Sequence, residues 1–195
     1  MANNQNFWAN QAVEPKRQYK FIVEIGGGNG KNKGLSSFYA TKVTRPGVKI
    51  GETSHKFLNH TFYYPGVVEF DPVSISFVDP GGDNDVTHAL YLRLKDMGWQ
   101  VPTNPNRLRE RTVTKDSSVA AFSKIKIKTL ASTSGREHPQ KNTVIQETWT
   151  LNNAWPTDIK WGELDYSGDG MLSLDVTFRY DWAENALGDV ISAST

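Results

Sequence analysis

The sequence predicts a mainly β protein, an antiparallel β-sandwich or barrel carrying one α-helix and long loops. Three observations carry that expectation. First, residues 172–182 alternate strictly. Leu172, Leu174, Val176, Phe178, Tyr180 and Trp182 fall on one face, with Ser173, Asp175, Thr177, Arg179 and Asp181 on the other. A period of two marks a strand with one dry face. Second, shorter segments of this kind recur along the chain, each closed by Gly, Pro or Asp. Third, a single segment, after Asp85, shows convincing helical spacing.

In chain order, residues 1–18 read as a polar arm ending in Glu14-Pro15-Lys16-Arg17, with Phe7 and Trp8 able to dock on a neighbour. Residues 19–25 form the first predicted strand, with Phe21, Val23 and Ile25 on one face, and residues 26–34 a glycine-rich loop. Residues 37–44 make a second strand, closed by Arg45-Pro46-Gly47. Residues 48–64 read as two strand pieces around a polar tip at Gly51, Glu52, Thr53 and Ser54, a hairpin longer than a compact domain needs. Residues 69–78 follow as a strand with Val73, Ile75 and Phe77 inward.

The helix starts at Asp85, whose side chain suits an N-cap. Val86, Ala89, Leu90, Leu94 and Met97 recur at helical spacing until Gly98. Residues 99–116 read as an irregular connection with a basic patch at Arg107, Arg109 and Arg111. Residues 121–130 read as a strand with Ile125 and Ile127 inward and Lys124, Lys126 and Lys128 outward. A polar loop over 133–142 leads to a strand at 143–151. A rigid Trp155-Pro156 corner then introduces a final hairpin, with strands at 161–166 and 172–182 and a turn at 165–170. The expected organisation is an arm at 1–18, one domain at 19–183 and a tail at 184–195.

Composition narrows the chemistry. The 195 residues contain no cysteine, which removes disulfides, thiolate metal sites and cysteine nucleophiles. A formal net charge of +1 gives no bulk drive toward nucleic acid or membranes. Mean hydropathy is -0.53. The first residues lack the apolar core of a signal peptide and no apolar run reaches membrane-spanning length, so a cytoplasm-like compartment is expected.

The glycine loop fits no phosphate-binding motif: Ile25 takes the first Walker glycine position and Asn32 the Ser/Thr position. Asp165 to Gly170 opens like a calcium loop, but Val176 stands where the bidentate Glu belongs. His55, His60, His88 and His138 are scattered, and no nucleophile elbow is present. Neither catalysis nor a cofactor or metal is expected.

One run of residues carries a resemblance. Asn153-Ala154-Trp155-Pro156 through Ile159, then Gly162-Glu163-Leu164-Asp165-Tyr166, then the alternating strand ending Tyr180-Asp181-Trp182, resembles the tail tube proteins of T4-like contractile-tailed phages. The order of Ala40 to Gly47, Pro65-Gly66, the strand after Val73 and the helix after Asp85 is similar to that family too. The resemblance spans about residues 19–183 and implies a structural virion protein. It implies strands shared in one barrel within a hexameric ring, and rings stacked into a hollow tube inside a sheath. Baseplate and terminator proteins would close the ends, and DNA would pass without sequence readout.

The site residues it implies lie in the long hairpin, Lys49, Ile50, Gly51, Glu52, Thr53, Ser54 and His55, as an inter-ring contact loop. Trp155, Pro156, Leu172, Leu174, Val176, Phe178, Tyr180 and Trp182 would form the structural spine. Assembly would occur in the host cytoplasm, with the virion tail as destination. Two related readings share the fold, a baseplate tube initiator and the tube of a phage-derived protein-injection particle. A rival of another class is a carbohydrate-binding sandwich using Trp99, Trp149, Trp155 and Trp161 as a stacking platform. Because DNA must slide, Lys124, Lys126 and Lys128 are expected to face away from the channel.

Overall fold

The computed structural model describes residues 16–26, 39–82, 85–101, 112–131 and 142–192. The glycine loop beyond Gly26, the basic patch at Arg107–Arg111, the polar 133–142 loop up to residue 141, and the first fifteen residues of the arm lie outside them. Ten strands and two helices are described: β1 (Phe21–Ile25), β2 (Ala40–Val43), β3 (Val48–Phe57), β4 (His60–Phe70), β5 (Val73–Val78), α1 (Val86–Asp96), α2 (Lys115–Phe122), β6 (Lys124–Leu130), β7 (Asn142–Asn152), β8 (Trp155–Lys160), β9 (Ser173–Arg179) and β10 (Trp182–Ser192). They form a four-stranded sheet A in the order β1-β6-β7-β10, a four-stranded sheet B in the order β2-β5-β9-β8, and a separate ribbon β3-β4. Every pairing is antiparallel. The mainly β expectation holds.

Alternation builds the core as expected. Val73, Ile75 and Phe77 of β5 and Leu174, Val176 and Phe178 of β9 are buried, in a register that pairs Ile75 with Val176 and Phe77 with Leu174. Across from them lie Val23, Ile125, Ile127 and Leu151 of sheet A, and the helices contribute Val86, Leu90, Ala121 and Phe122 to the same cluster. Phe122 and Phe178 meet edge-on with ring centroids 5.6 Å apart. Asp85 caps α1 by accepting from the His88 amide at 2.8 Å, and Asp79 accepts from the Val86 amide at 2.9 Å. Arg93, 2% exposed, ties the helices to sheet A: its guanidinium donates to the Gly26 and Ala121 carbonyls at 2.8 and 3.0 Å and lies over the Phe122 ring.

Five expectations are corrected. The connection after Gly98 is not wholly irregular, because Thr114 and Ser117 form a reciprocal capping box that starts α2. Its eight residues carry Ala121 and Phe122 into the core, so β6 begins only at Lys124.

The Trp155-Pro156 corner is a strand. The chain turns one step earlier, where Asn153 adopts φ 56° and Ala154 is fully buried, and Trp155 and Pro156 open β8. Pro156 is tolerated because β8 is the edge of sheet B and bulges between Pro156 and Asp158. The strand expected at residues 161–166 is an exposed loop, since β8, which precedes it, already occupies the ladder beside β9. Lastly, the alternating run 172–182 breaks after Tyr180. Leu174, Val176, Phe178 and Tyr180 are buried, Leu172 is half-buried and Trp182 is exposed, because the chain crosses there to sheet A. The expected tail after residue 183 continues as β10, which pairs with β7 from Trp182↔Asn152 to Ser192↔Asn142.

One buried carboxylate fastens these pieces. Glu147 of β7, 3% exposed, accepts from Lys16, from Arg45 at 2.5 Å, from the Trp149 indole at 2.5 Å and from Asn185 of β10 at 2.7 Å. Burial alone would raise its pKa, but the bonds from Lys16, Asn185, Arg45 and Trp149 prevail and hold it at about 2.

Two outcomes follow from this packing. Phe178→Ala should lower stability by about 3–5 kcal/mol, read as a shift in the urea midpoint at constant m-value, through the cavity left between β9 and α2. For Glu147, a folded pKa below the ordinary 4.5 means its stabilisation is present above that value and is lost as pH falls toward about 2. Glu147→Gln should therefore be less stable than the parent at pH 7, by up to about 3 kcal/mol, and should lack that part of the acid destabilisation in denaturation curves between pH 5 and 2.

Candidate self-assembly surface

The ribbon β3-β4 is the feature that the sandwich does not account for. Its strands run ten and eleven residues, which at 3.3 Å per residue makes an arm about 33 Å long. Nearly every residue on it is exposed, and neither strand pairs with sheet A or sheet B. The register puts Val48/Phe70, Ile50/Val68, Glu52/Pro65 and Ser54/Tyr63 on one face. Thr53/Tyr64, His55/Phe62 and Phe57/His60 lie on the other. Ile50 is 63% exposed, Tyr63 66%, Val67 77% and Leu58 at the tip 86%. A lone two-stranded ribbon is marginal in water, and the large apolar side chains on both of its faces have no covering partner among the described residues.

The sequence places this arm correctly but misreads its tip. Gly51, Glu52, Thr53 and Ser54 are mid-strand, and the reversal comes at Leu58-Asn59, with Leu58 at φ 52°. Lys49 to His55 thus form β3 and not a loop. The two glycines instead mark a bulge, where Gly66 and Val67 oppose Gly51 and the register slips by one residue. A Cβ on Gly66 would meet the Gly51 carbonyl carbon and oxygen at 3.1 Å, so the two backbones can approach this closely only without side chains.

The base of the arm is held rigidly. Lys49 pairs with Asp71 at 2.7 Å, which raises the lysine pKa, and the Asp71 amide donates to the Gly47 carbonyl at 2.9 Å. Tyr180 donates to the Asp71 carbonyl at 2.8 Å and packs against Phe70, while Arg179 donates to the Phe70 carbonyl at 3.3 Å. The spine strand β9 thus ends by gripping the base of the arm.

A second protrusion follows β8. Residues 161–171 are exposed throughout, including Leu164, Tyr166 and Met171. Asp165 accepts from the Ser167 amide at 2.9 Å and hydroxyl at 2.8 Å, which lowers its pKa and makes a local turn of the would-be calcium segment. Among the described residues no group of three His, Asp or Glu could hold a metal ion.

Lys124 and Lys126 are exposed on the outer face of sheet A, and Lys128 reaches Glu24 at 2.5 Å. The four tryptophans of the stacking-platform reading do not converge. Trp149 points between the sheets toward Glu147, Trp99 packs edge-on against Tyr91 of α1, and Trp155 and Trp161 lie on β8 and the loop after it. The missed elements α2 and β10 carry faint signals, a Thr114-x-x-Ser117 box and a polar-interrupted alternation after Trp182.

No protein-family model and no curated protein matches the sequence. Solved structures do. A chain of the cryo-EM sheath–tube complex of the PVC extracellular contractile injection system, in its extended state, is 15% identical, with TM-score 0.61, covering 90% of this chain and 94% of that one. A chain of the tube-terminating cap of the anti-feeding prophage is 17% identical with TM-score 0.62, covering 96% and 99%. A chain of the sixfold-symmetrised anti-feeding prophage baseplate is 12% identical with TM-score 0.56, covering 89% and 97%. At these identities the likeness carries the fold, and over nearly its whole length this chain has the fold of contractile-injection-system components.

Proposed function

We propose that this chain is a tube subunit, assembling into hexameric rings that stack into a hollow tube inside a sheath, with baseplate and terminator components at its ends. The observation that carries the reading is the β3-β4 arm, about 33 Å of exposed, two-faced apolar ribbon on a rigid base. Such an arm has its use between copies, and we assign Lys49, Ile50, Gly51, Glu52, Thr53, Ser54 and His55 on it to the contact with the next ring. The fold shared with chains of a sheath–tube complex, a tube cap and a baseplate supports the same reading. Among the described residues four sheet edges, β1, β10, β2 and β8, have no second ladder, and ring closure pairs edges that would otherwise invite irregular aggregation.

Within this reading the tube is that of a phage tail. It is assembled in the host cytoplasm, incorporated in the virion and used for DNA passage. The second reading, a tube of a phage-derived protein-injection particle, is favoured by the identity of the structural neighbours, which come from the PVC and anti-feeding prophage assemblies. A baseplate initiator has the same fold, but forms one ring where a tube protein polymerises. Particles purified with nucleic acid inside the tube would decide for the phage tail.

For DNA to slide, the lumen must be neutral or acidic. The outer face of sheet B offers a neutral one: Ser74 meets Thr177 at 3.2 Å, Ser76 donates to Asp175 at 2.5 Å, and Lys42 and Lys160 beside them are balanced by Asp158 and Asp175. Lys124, Lys126 and Lys128 belong to the outer face of sheet A and should lie away from the channel. A cryo-EM reconstruction with these lysines lining the lumen would refute that placement.

The arm has its own test. Negative-stain microscopy of the concentrated protein should show hollow rings or tubes. Replacing residues 52–65 with a two-residue turn should leave the circular dichroism spectrum and the ring intact while shortening or abolishing tubes. Tubes of undiminished length would remove the arm from the stacking contact.

A further inference from the structure

The β3-β4 arm carries its apolar side chains on one face near the base and on the other face near the tip. Along β4 alone, Phe62, Tyr64, Val68 and Phe70 share one parity, and an unbroken ladder would set them in a single stripe. The bulge at Gly66-Val67 adds one residue to β4, and a slip of one residue turns every later side chain over. At the base, Val48/Phe70 and Ile50/Val68 therefore lie on the face that carries Glu52, Ser54 and Lys56 farther out. At the tip, Thr53/Tyr64, His55/Phe62 and Phe57/His60 lie on the face that carries Lys49 and Glu69 at the base.

Both patches are open and uncharged. Val48, Ile50 and Val68 at the base and Phe57, Phe62 and Tyr64 at the tip are each between 49 and 63% exposed. No Lys, Arg, Asp or Glu stands in a row of either patch.

The two patches cannot meet within one chain. A single antiparallel ladder runs from Val48/Phe70 to Phe57/His60, interrupted only at the bulge. It holds the patches on opposite faces of one ribbon, with centres about 20 Å apart along it. Ribbon twist turns both faces together and does not bring them to one side.

Between copies they can meet, and they match. Each is an uncharged β face two or three rows long, the kind of surface that packs on another at about 10 Å. The tip brings aromatic rings and the base β-branched chains, which pack well together on pleated surfaces. The loop of residues 161–171 also exposes Leu164, Tyr166 and Met171, but Glu163, Asp165 and Asp169 are interleaved with them. Covering that loop with an aromatic face would strip water from its carboxylates, a cost the base of the arm does not carry.

We propose that the aromatic tip of one arm lies on the base of the arm of a copy in the next ring. The proposal rests on the tube-subunit reading and names the partner of the arm within it. Tip and base are different surfaces, so the contact is head-to-tail, and an arm that receives a tip still offers its own. Repeated along the axis such a contact does not close, so the stack of rings grows open-ended and has a direction. With no charged side chain in its rows, the contact is not screened by added salt.

The chain has no cysteine, so single introduced cysteines report the contact without background. One variant carries His55→Cys on the tip face, opposite Phe62, and another carries Val68→Cys at the base, opposite Ile50. Both positions are exposed, and circular dichroism checks that each variant folds. Each variant alone, and an equal mixture assembled together, is treated with a short bismaleimide crosslinker and run on a denaturing gel. Covalent dimers should form in the mixture and be absent from either variant alone. Thr53→Cys with Val48→Cys is a second pair that should behave alike. Dimers in a single variant alone mark a like-to-like contact and overturn the proposal. Tubes that form in both mixtures without dimers also overturn it and leave the tube reading standing. A parent chain that forms no tube at any concentration overturns the tube reading and the contact with it.

Discussion

The pairing of β5 with β9 is the interaction on which the rest depends. In that register Val73, Ile75 and Phe77 stand beside Phe178, Val176 and Leu174, and all six are buried. Each large apolar side chain so buried is worth about 1.5–3 kcal/mol, so this one ladder supplies much of the drive for sheet B to close on sheet A. Its far end has a second duty. Tyr180, still on the inward face, donates its hydroxyl to the Asp71 carbonyl and packs on Phe70, so the strand that builds the core also anchors the base of the arm.

From that centre outward the molecule becomes progressively less self-sufficient. Sheet A is capped by α1 and α2 through Arg93 and Phe122, and its outer strand β10 is tied in through Asn185 and Glu147. Beyond these, the edges of both sheets, the arm and the 161–171 loop present backbone ladders or apolar side chains with no partner among the described residues. A stable core under unsatisfied edges is what a subunit made to join copies of itself requires. The polar clusters at Glu147 and Asp71 lie where the core meets those edges, and they fix the edges in position before any partner arrives.

Much of the sandwich was legible. β1, β5 and the buried part of β9 were readable because each alternates over a dry face, and α1 because Asp85 and Gly98 bracket an apolar stripe. The arm was legible as an overlong hairpin. Its tip was not, since Gly51 reads as a turn residue although it serves a bulge. α2 was hidden because eight residues with two serines give little periodicity, and it is held by a capping box and by Phe122 against Phe178. β10 was hidden because Glu184, Asn185, Gly188 and Asp189 interrupt its pattern, while its ladder comes from β7.

By itself the sequence determined which faces are dry, where helix α1 begins, and that thiol chemistry is excluded, because these follow from side-chain identity at short range. Only the tertiary structure decided where the chain changes sheets. The run 172–182 alternates without a break, yet Tyr180 closes one sheet and Trp182 opens the other. The Asp181 amide there donates to the Asn152 carbonyl at 3.1 Å, and its carboxylate takes Lys115 at 2.7 Å and Asn153 at 2.8 Å. Those partners lie 28 to 66 residues away in the chain. Local alternation fixes a strand's faces but carries no record of which distant strand will complete its hydrogen bonds.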